Sequence, residues 1–217
     1  MAEPEAALAA AAWAAFDRRA EEVERARPES RPALACRAGC AHCCHSMVSV
    51  LPQEAFALAA HIETATPEPE RGALKARVIA HAGRTAGMGG AARMQARLPC
   101  PFLDGETSLC RVHAARPLTC RGMNSVDEGA CRAALDDPAA EIAVPTVLTH
   151  HRAVQNLYDQ IGARLSSAGL SSASLELTGA LSAIWSAPDA LTRWREGEDI
   201  FAETRAADTT DAPIPRF

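Results

Sequence analysis

Cys36-Arg-Ala-Gly-Cys40-Ala-His-Cys43-Cys44 is the stretch on which the reading of this chain turns. Its C-x3-C-x2-C-C spacing crowds four thiols into one short segment. Thiols that close together can converge on one point, as a thiophilic metal or an iron–sulfur cluster requires. On an ideal helix, at about 100° per residue, all four would share an arc of about 100°. On a loop the same spacing still brings three sulfurs within chelating reach. Cys44 is the odd member, because side chains of adjacent residues diverge. It serves a second metal, bridges two metals, or is simply buried.

Outward from this run, Cys100, Cys110, Cys120 and Cys131 recur at near-even intervals, and no cysteine lies outside residues 36–131. All eight are candidate metal ligands. The second four do not follow a zinc-knuckle spacing, so the fold must gather them from several loops. The sharpest local piece is Arg116-Pro117-Leu-Thr-Cys120-Arg121. Pro117 suits the first position of a helix. Cys120 then falls in the first turn, where the positive end of the helix favours a thiolate.

Arginine directly follows four of the eight cysteines, at Arg37, Arg111, Arg121 and Arg132, more often than the arginine content implies. A four-thiolate zinc site or an oxidised four-iron cluster carries a charge of about −2, which nearby arginines would offset. Arg116 and Arg121 are therefore candidate cofactor-binding residues, with Arg121 expected near sulfur. His42, His45 and His113 are alternative zinc ligands. His150 and His151 read as helix-surface residues, and Glu54 as an ordinary acid in a first helical turn.

An even cysteine count also fits four disulfides. Disulfide frameworks belong mostly to small secreted chains. At 217 residues this chain is not small. Its apolar run at residues 6–16 follows Glu3 and Glu5, where a secretory leader needs positive charge. The run reads as the start of a helix, and the expected compartment is the cytoplasm. No apolar run approaches the ~18–20 residues that span a bilayer. A net charge of −5 argues against a nucleic-acid footprint.

The expected fold is mostly α: an irregular cysteine-rich metal-binding core, with a small hairpin at Asp104-Gly105, flanked by N- and C-terminal helices. Four zones follow. Residues 1–32 form an N-terminal helix ended by Pro28 and Pro32, and residues 33–135 the cysteine-cluster domain. Residues 136–206 form a C-terminal helical region, and residues 207–217 a loose tail. Within the second zone, Pro52 opens a helix whose Ala55, Leu58, Ala59 and Ile62 keep a 3.6-residue spacing. Further helices are expected at about 69–83 and within 90–97. In the third zone, Val147, Val154, Leu157, Tyr158 and Ile161 mark one apolar face, followed by helices at 175–185 and 188–204.

The chain resembles the YkgJ-like bacterial cysteine-cluster family, a zinc- or iron-chelating domain. The matching pieces are Cys36-x3-Cys40-x2-Cys43-Cys44, the following Val-x-Val-Leu-Pro-Gln-Glu54-Ala, and Cys110-x2-His113-x2-Arg116-Pro117-x2-Cys120-Arg121. Tyrosine often stands in the family where this chain has His113. The resemblance spans about residues 36–131 and implies a shared metal-binding site built from the eight cysteines, without settling the metal. The expected occupant is an iron–sulfur cluster, with 4Fe-4S favoured, or zinc.

Three functions compete. The first is a metal-binding module that handles metal or redox state. The second is an enzyme using S-adenosylmethionine or redox chemistry. Cys36-x3-Cys40-x2-Cys43 fits the radical-SAM motif, and a flagellin lysine N-methylase carries a similar cluster. That motif needs alternating strands and helices around it, which the later chain does not suggest. The third is a purely structural zinc staple.

Overall fold

The computed structural model describes residues 4–206, and within them nine α-helices carry the architecture. The first, α1 (Pro4–Arg25), buries Ala9, Ala12, Trp13 and Phe16, the i, i+3, i+4, i+7 stripe of an amphipathic helix. That stripe lies on α2 (Pro52–Ala65) and α7 (Leu148–Ser167). Pro52 occupies the first position of α2, where its missing N–H costs nothing. α2 is buried nearly all round, so it is the central helix.

α3 (Glu70–Thr85) and α8 (Leu177–Ser186) pack on one another, and α8 also packs on α2. α9 (Ala190–Arg195) closes this side. Its Trp194 is 5.4 Å from Phe56 between ring centroids, and Phe201 is 5.7 Å from the same ring. One continuous apolar core runs from Ala9 through Leu58 and Leu118 to Phe201, drawing on the first three of the four zones. Glu5 and Arg195 pair at 2.6 Å and join the two ends of the described chain.

The sheet is not where the turn signal pointed. It pairs β1 (Ser49–Val50) with β2 (Leu175–Glu176), antiparallel, in the register Ser49–Glu176 and Val50–Leu175. At Asp104-Gly105 there is only an isolated bridge between Leu103 and Cys110. The Asp104 carboxylate there accepts the N–H groups of Glu106 and Thr107, so side-chain bonds to the backbone compete with ladder pairing.

Leu175, expected in a helix, lies in β2, and the segment expected as a helix at 188–204 is helical only over α9 and a 3-10 turn at Ala202–Thr204. Gly197, with φ of 87°, follows α9 and takes the left-handed conformation that a helix end often needs. The expected tail at 207–217 lies outside the described residues.

Candidate metal centre

The first cysteine run is a loop rather than a helix. A turn closes from Arg37 to Cys40 through a 3.0 Å bond between the Cys40 N–H and the Arg37 carbonyl. Gly39, with φ of 83°, supplies the left-handed residue of that turn. A 3-10 turn over His42–His45 follows and carries Cys43 and Cys44.

Short helices bring up the rest. α5 (Leu118–Gly122) presents Cys120 in its first turn, and α6 (Glu128–Asp136) presents Cys131. Pro117 is the N-cap of α5 rather than its first residue, because its backbone is extended there. α6 packs on the 3-10 turn, which sets Cys131 toward the first run. The Cys36 sulfur accepts the Ser125 N–H at 3.4 Å, fastening the run to the segment before α6. The Cys100 N–H donates to the Cys44 carbonyl at 2.7 Å.

The eight thiols are all free. Their nearest sulfur neighbours form two overlapping sets. Cys36 feels Cys40, Cys43 and Cys131, and Cys131 feels Cys40 and Cys43. Cys120 feels Cys100, Cys110 and Cys43. Cys43 thus adjoins both groups and is hydrogen-bonded to Cys44.

Burial first, and then neighbouring thiols, push Cys120 well above the ordinary thiol range, and burial raises Cys100 to about 11. The bond to Cys44, followed by burial, raises Cys43, although the residue keeps an exposed side. Arg116 opposes this trend at three thiols, since its charge lowers Cys43, Cys110 and Cys120, and Arg93 does so at Cys100. The Arg116 Nε is buried and without a hydrogen-bond partner.

The four arginines that follow cysteines are engaged elsewhere. Arg37 pairs with Glu128 at 2.5 Å, Arg111 with Asp104, and Arg132 with Glu128 at 4.0 Å. Arg121, expected near sulfur, pairs with Asp17 at 2.6 Å and donates to the carbonyls of Ala114 and Arg116. It also lies 5.4 Å from the centre of the Trp13 ring. Sequence spacing showed which arginines neighbour a cysteine along the chain, but not the carboxylates the fold would bring to them.

The histidines differ among themselves. His42 reaches Glu128 at 3.4 Å, and His45 contacts the His42 carbonyl at 3.4 Å. Burial, then Arg116 and Arg121, lower the pKa of His113. His150 is buried against Phe16 and is not a surface residue. Glu54 departs most from its reading. It is fully buried and accepts the Trp13 indole N–H at 2.9 Å and the Leu118 N–H at 2.8 Å. It therefore holds the N-terminus of the Cys120 helix against α1, a role that local sequence does not reveal.

The donor set suits a thiophilic metal. Sulfur is a soft donor, and a thiol binds metal by exchanging its proton for the cation. Among the described residues, no three His, Cys, Asp or Glu side chains already stand closed around a point in ligating geometry.

A family model named CxxCxxCC, with the description "Putative zinc- or iron-chelating domain", matches residues 35–139. The match takes in all eight cysteines. No curated protein and no solved structure matches the chain.

Proposed function

We propose, from the premise that residues 35–139 carry a zinc- or iron-chelating domain, that this chain holds metal through two sets of four thiols. Cys36, Cys40, Cys43 and Cys131 make one set. Cys44, Cys100, Cys110 and Cys120 make the other, with the Cys43–Cys44 pair at the junction. Two observations support this reading: Cys36 and Cys131 neighbour Cys40 and Cys43, whereas Cys120 neighbours Cys100, Cys110 and Cys43, and the Cys100 N–H donates to the Cys44 carbonyl at 2.7 Å. Four thiolates complete a structural zinc site or a 4Fe-4S cluster, so eight are twice what one centre needs.

The 4Fe-4S form is the preferred occupant, and Arg116, whose charge favours the thiolates of Cys43, Cys110 and Cys120, is a counter-charge for it. Redox or metal handling in the cytoplasm, where thiols stay reduced, is the role this chemistry suits. An iron–sulfur centre would supply one-electron chemistry. The chain's own part is to position sulfur, limit water and set the local charge. The radical-SAM alternative requires a partial barrel, whereas the one sheet among the described residues has two strands of two residues each.

Elemental analysis and an absorption spectrum of anaerobically purified protein test the proposal. Iron with matching acid-labile sulfide, and a ferric–thiolate band, supports the cluster. Zinc in a colourless protein assigns the same thiols to zinc. Cys131→Ser and Cys110→Ser should each remove metal from one set and spare the other. Loss of all metal from either variant would refute two sets, and a wild-type chain without metal would refute the centre itself.

A further inference from the structure

Cys120 sits in a helix too short to hold itself. α5 has five residues, and the N–H groups of its first turn lack partners within the helix. A helix of that length does not stand alone in water. Two of those N–H groups are taken instead by side chains of other helices. The Leu118 N–H donates to Glu54 Oε1 on α2 at 2.8 Å, and the Thr119 N–H donates to the Tyr158 hydroxyl on α7 at 3.3 Å. Thr119 adds a third tie, since its own hydroxyl donates to the Ser49 carbonyl of β1 at 2.7 Å and lies 2.9 Å from the Tyr158 oxygen.

Glu54 is an expensive residue for such a place. A buried carboxylate needs compensation, and three N–H groups supply it here. They are the Trp13 indole at 2.9 Å and the Leu118 N–H at 2.8 Å on one oxygen, and the Leu51 N–H at 3.4 Å on the other. With both oxygens engaged, Glu54 acts on its surroundings as a fixed acceptor. Its bonds and those of Tyr158 end on Leu118 and Thr119, the two residues before Cys120, and none of them reaches Cys36, Cys40, Cys43 or Cys131. Trp13 and Tyr158 both lie outside residues 35–139.

We propose that Glu54 and Tyr158 position Cys120 for the metal set of Cys44, Cys100, Cys110 and Cys120, so that this set is held by side chains from outside the chelating domain as well as within it. The inference rests on the reading of the cysteines as two metal sets. Neither residue ligates. Both are positioning residues that act through the α5 backbone, and metal–sulfur bonds of about 2.3 Å tolerate little displacement of the thiol.

Glu54→Gln and Tyr158→Phe in the full chain test this, the first matched in size and the second lacking one hydroxyl. Each is placed in the Cys131→Ser background, which leaves the Cys120 set intact, and in the Cys110→Ser background, which leaves the other. Zinc is then titrated in competition with a chelator. In the Cys131→Ser background Glu54→Gln should weaken zinc binding by about 10–100-fold, the usual cost of losing a partner of a metal's ligands, and Tyr158→Phe should weaken it in the same direction. In the Cys110→Ser background neither should change it. Arg121→Gln, which loosens the other end of the same helix, is the comparator and should bind zinc as its parent does. Equal weakening of both sets, or a loss of the same size in Arg121→Gln, would make Glu54 an ordinary part of the fold and overturn the proposal. Unchanged affinity of the Cys120 set also overturns it, and where Glu54→Gln does not fold, Tyr158→Phe decides alone. Parent proteins that bind no zinc overturn the reading of two sets and this inference with it. Parents that bind zinc while the variants bind it equally overturn this inference alone.

Discussion

The Cys100 N–H donates to the Cys44 carbonyl at 2.7 Å. This backbone bond joins the two cysteine segments directly, across 56 positions of sequence. The order of one segment therefore depends on the order of the other. A metal bound by sulfurs of both would reinforce a link that the backbone already makes.

Metal removal should loosen residues 98–131 before the C-terminal helices. Apart from α5 and the start of α6, that segment has little regular structure, and few repeating bonds support it when ligation is lost. Hydrogen exchange on chelated protein should show faster exchange at Cys100, Ser125 and their neighbours, with α7 and α8 unchanged. Equal protection throughout, before and after complete metal removal, would uncouple folding from ligation.

Arg121→Gln should act on stability rather than on the metal. The guanidinium spends its nitrogens on Asp17 and two carbonyls, and its side chain is 7% exposed. Losing these charge-assisted bonds should cost about 1–3 kcal/mol. Denaturant unfolding of metal-free protein should show that loss, and Asp17→Asn should reproduce part of it. A shift in reduction potential or metal affinity with stability unchanged would place Arg121 at the centre after all.

The helical faces were legible because their information is local. Proline before an apolar 3.6-residue repeat announced α2, and the Val154, Tyr158, Ile161 face of α7 is buried as its spacing implies. The cysteine-rich zone was legible because all eight cysteines fall within residues 36–131. Long-range polar partners were not. Glu54 meets Leu118 across 64 positions, and Arg121 meets Asp17 across 104. No periodicity encodes such pairings, and a glutamate in a first turn looks the same whether water or an indole faces it. β1 and β2 are two residues each, too short to leave an alternating pattern.

Gly122→Ala should strain the helix that carries Cys120. A Cβ there would come within 2.5 Å of Val154 Cγ2, which a β-branched side chain in a helix cannot easily move aside. Overpacking of this kind costs about 1–3 kcal/mol. Denaturant melts should show that loss, and Val154→Ala should restore part of it in the double variant. Full stability in Gly122→Ala alone would mean that α5 shifts freely on α7, which its bonds to Glu54 and Tyr158 oppose.

Acid should destabilise the protein through His81 in a defined window. The folded chain lowers this histidine from 6.5 to about 4, chiefly by burial and then by the charges of Arg93 and Arg84. Between those values the unfolded chain binds a proton that the folded chain refuses. Stability therefore rises with pH across the window and is lost as pH falls from 6.5 toward 4. The loss should not exceed about 3 kcal/mol. Glu54 works in the opposite sense, because burial raises its pKa and the fold favours its neutral form, a contribution lost as pH rises. His113, His150 and His151 are also lowered and add to the acid loss, so the wild-type profile alone cannot assign it. The difference between wild type and His81→Gln can, since the glutamine amide can accept from Arg93 and donate to Thr178 without titrating. Unfolding free energies of the two proteins, measured without metal at about pH 7 and about pH 4.5, should show a smaller acid loss in the variant. Parallel profiles would mean that His81 is protonated in the folded state at no cost, and Arg93 would then need another acceptor.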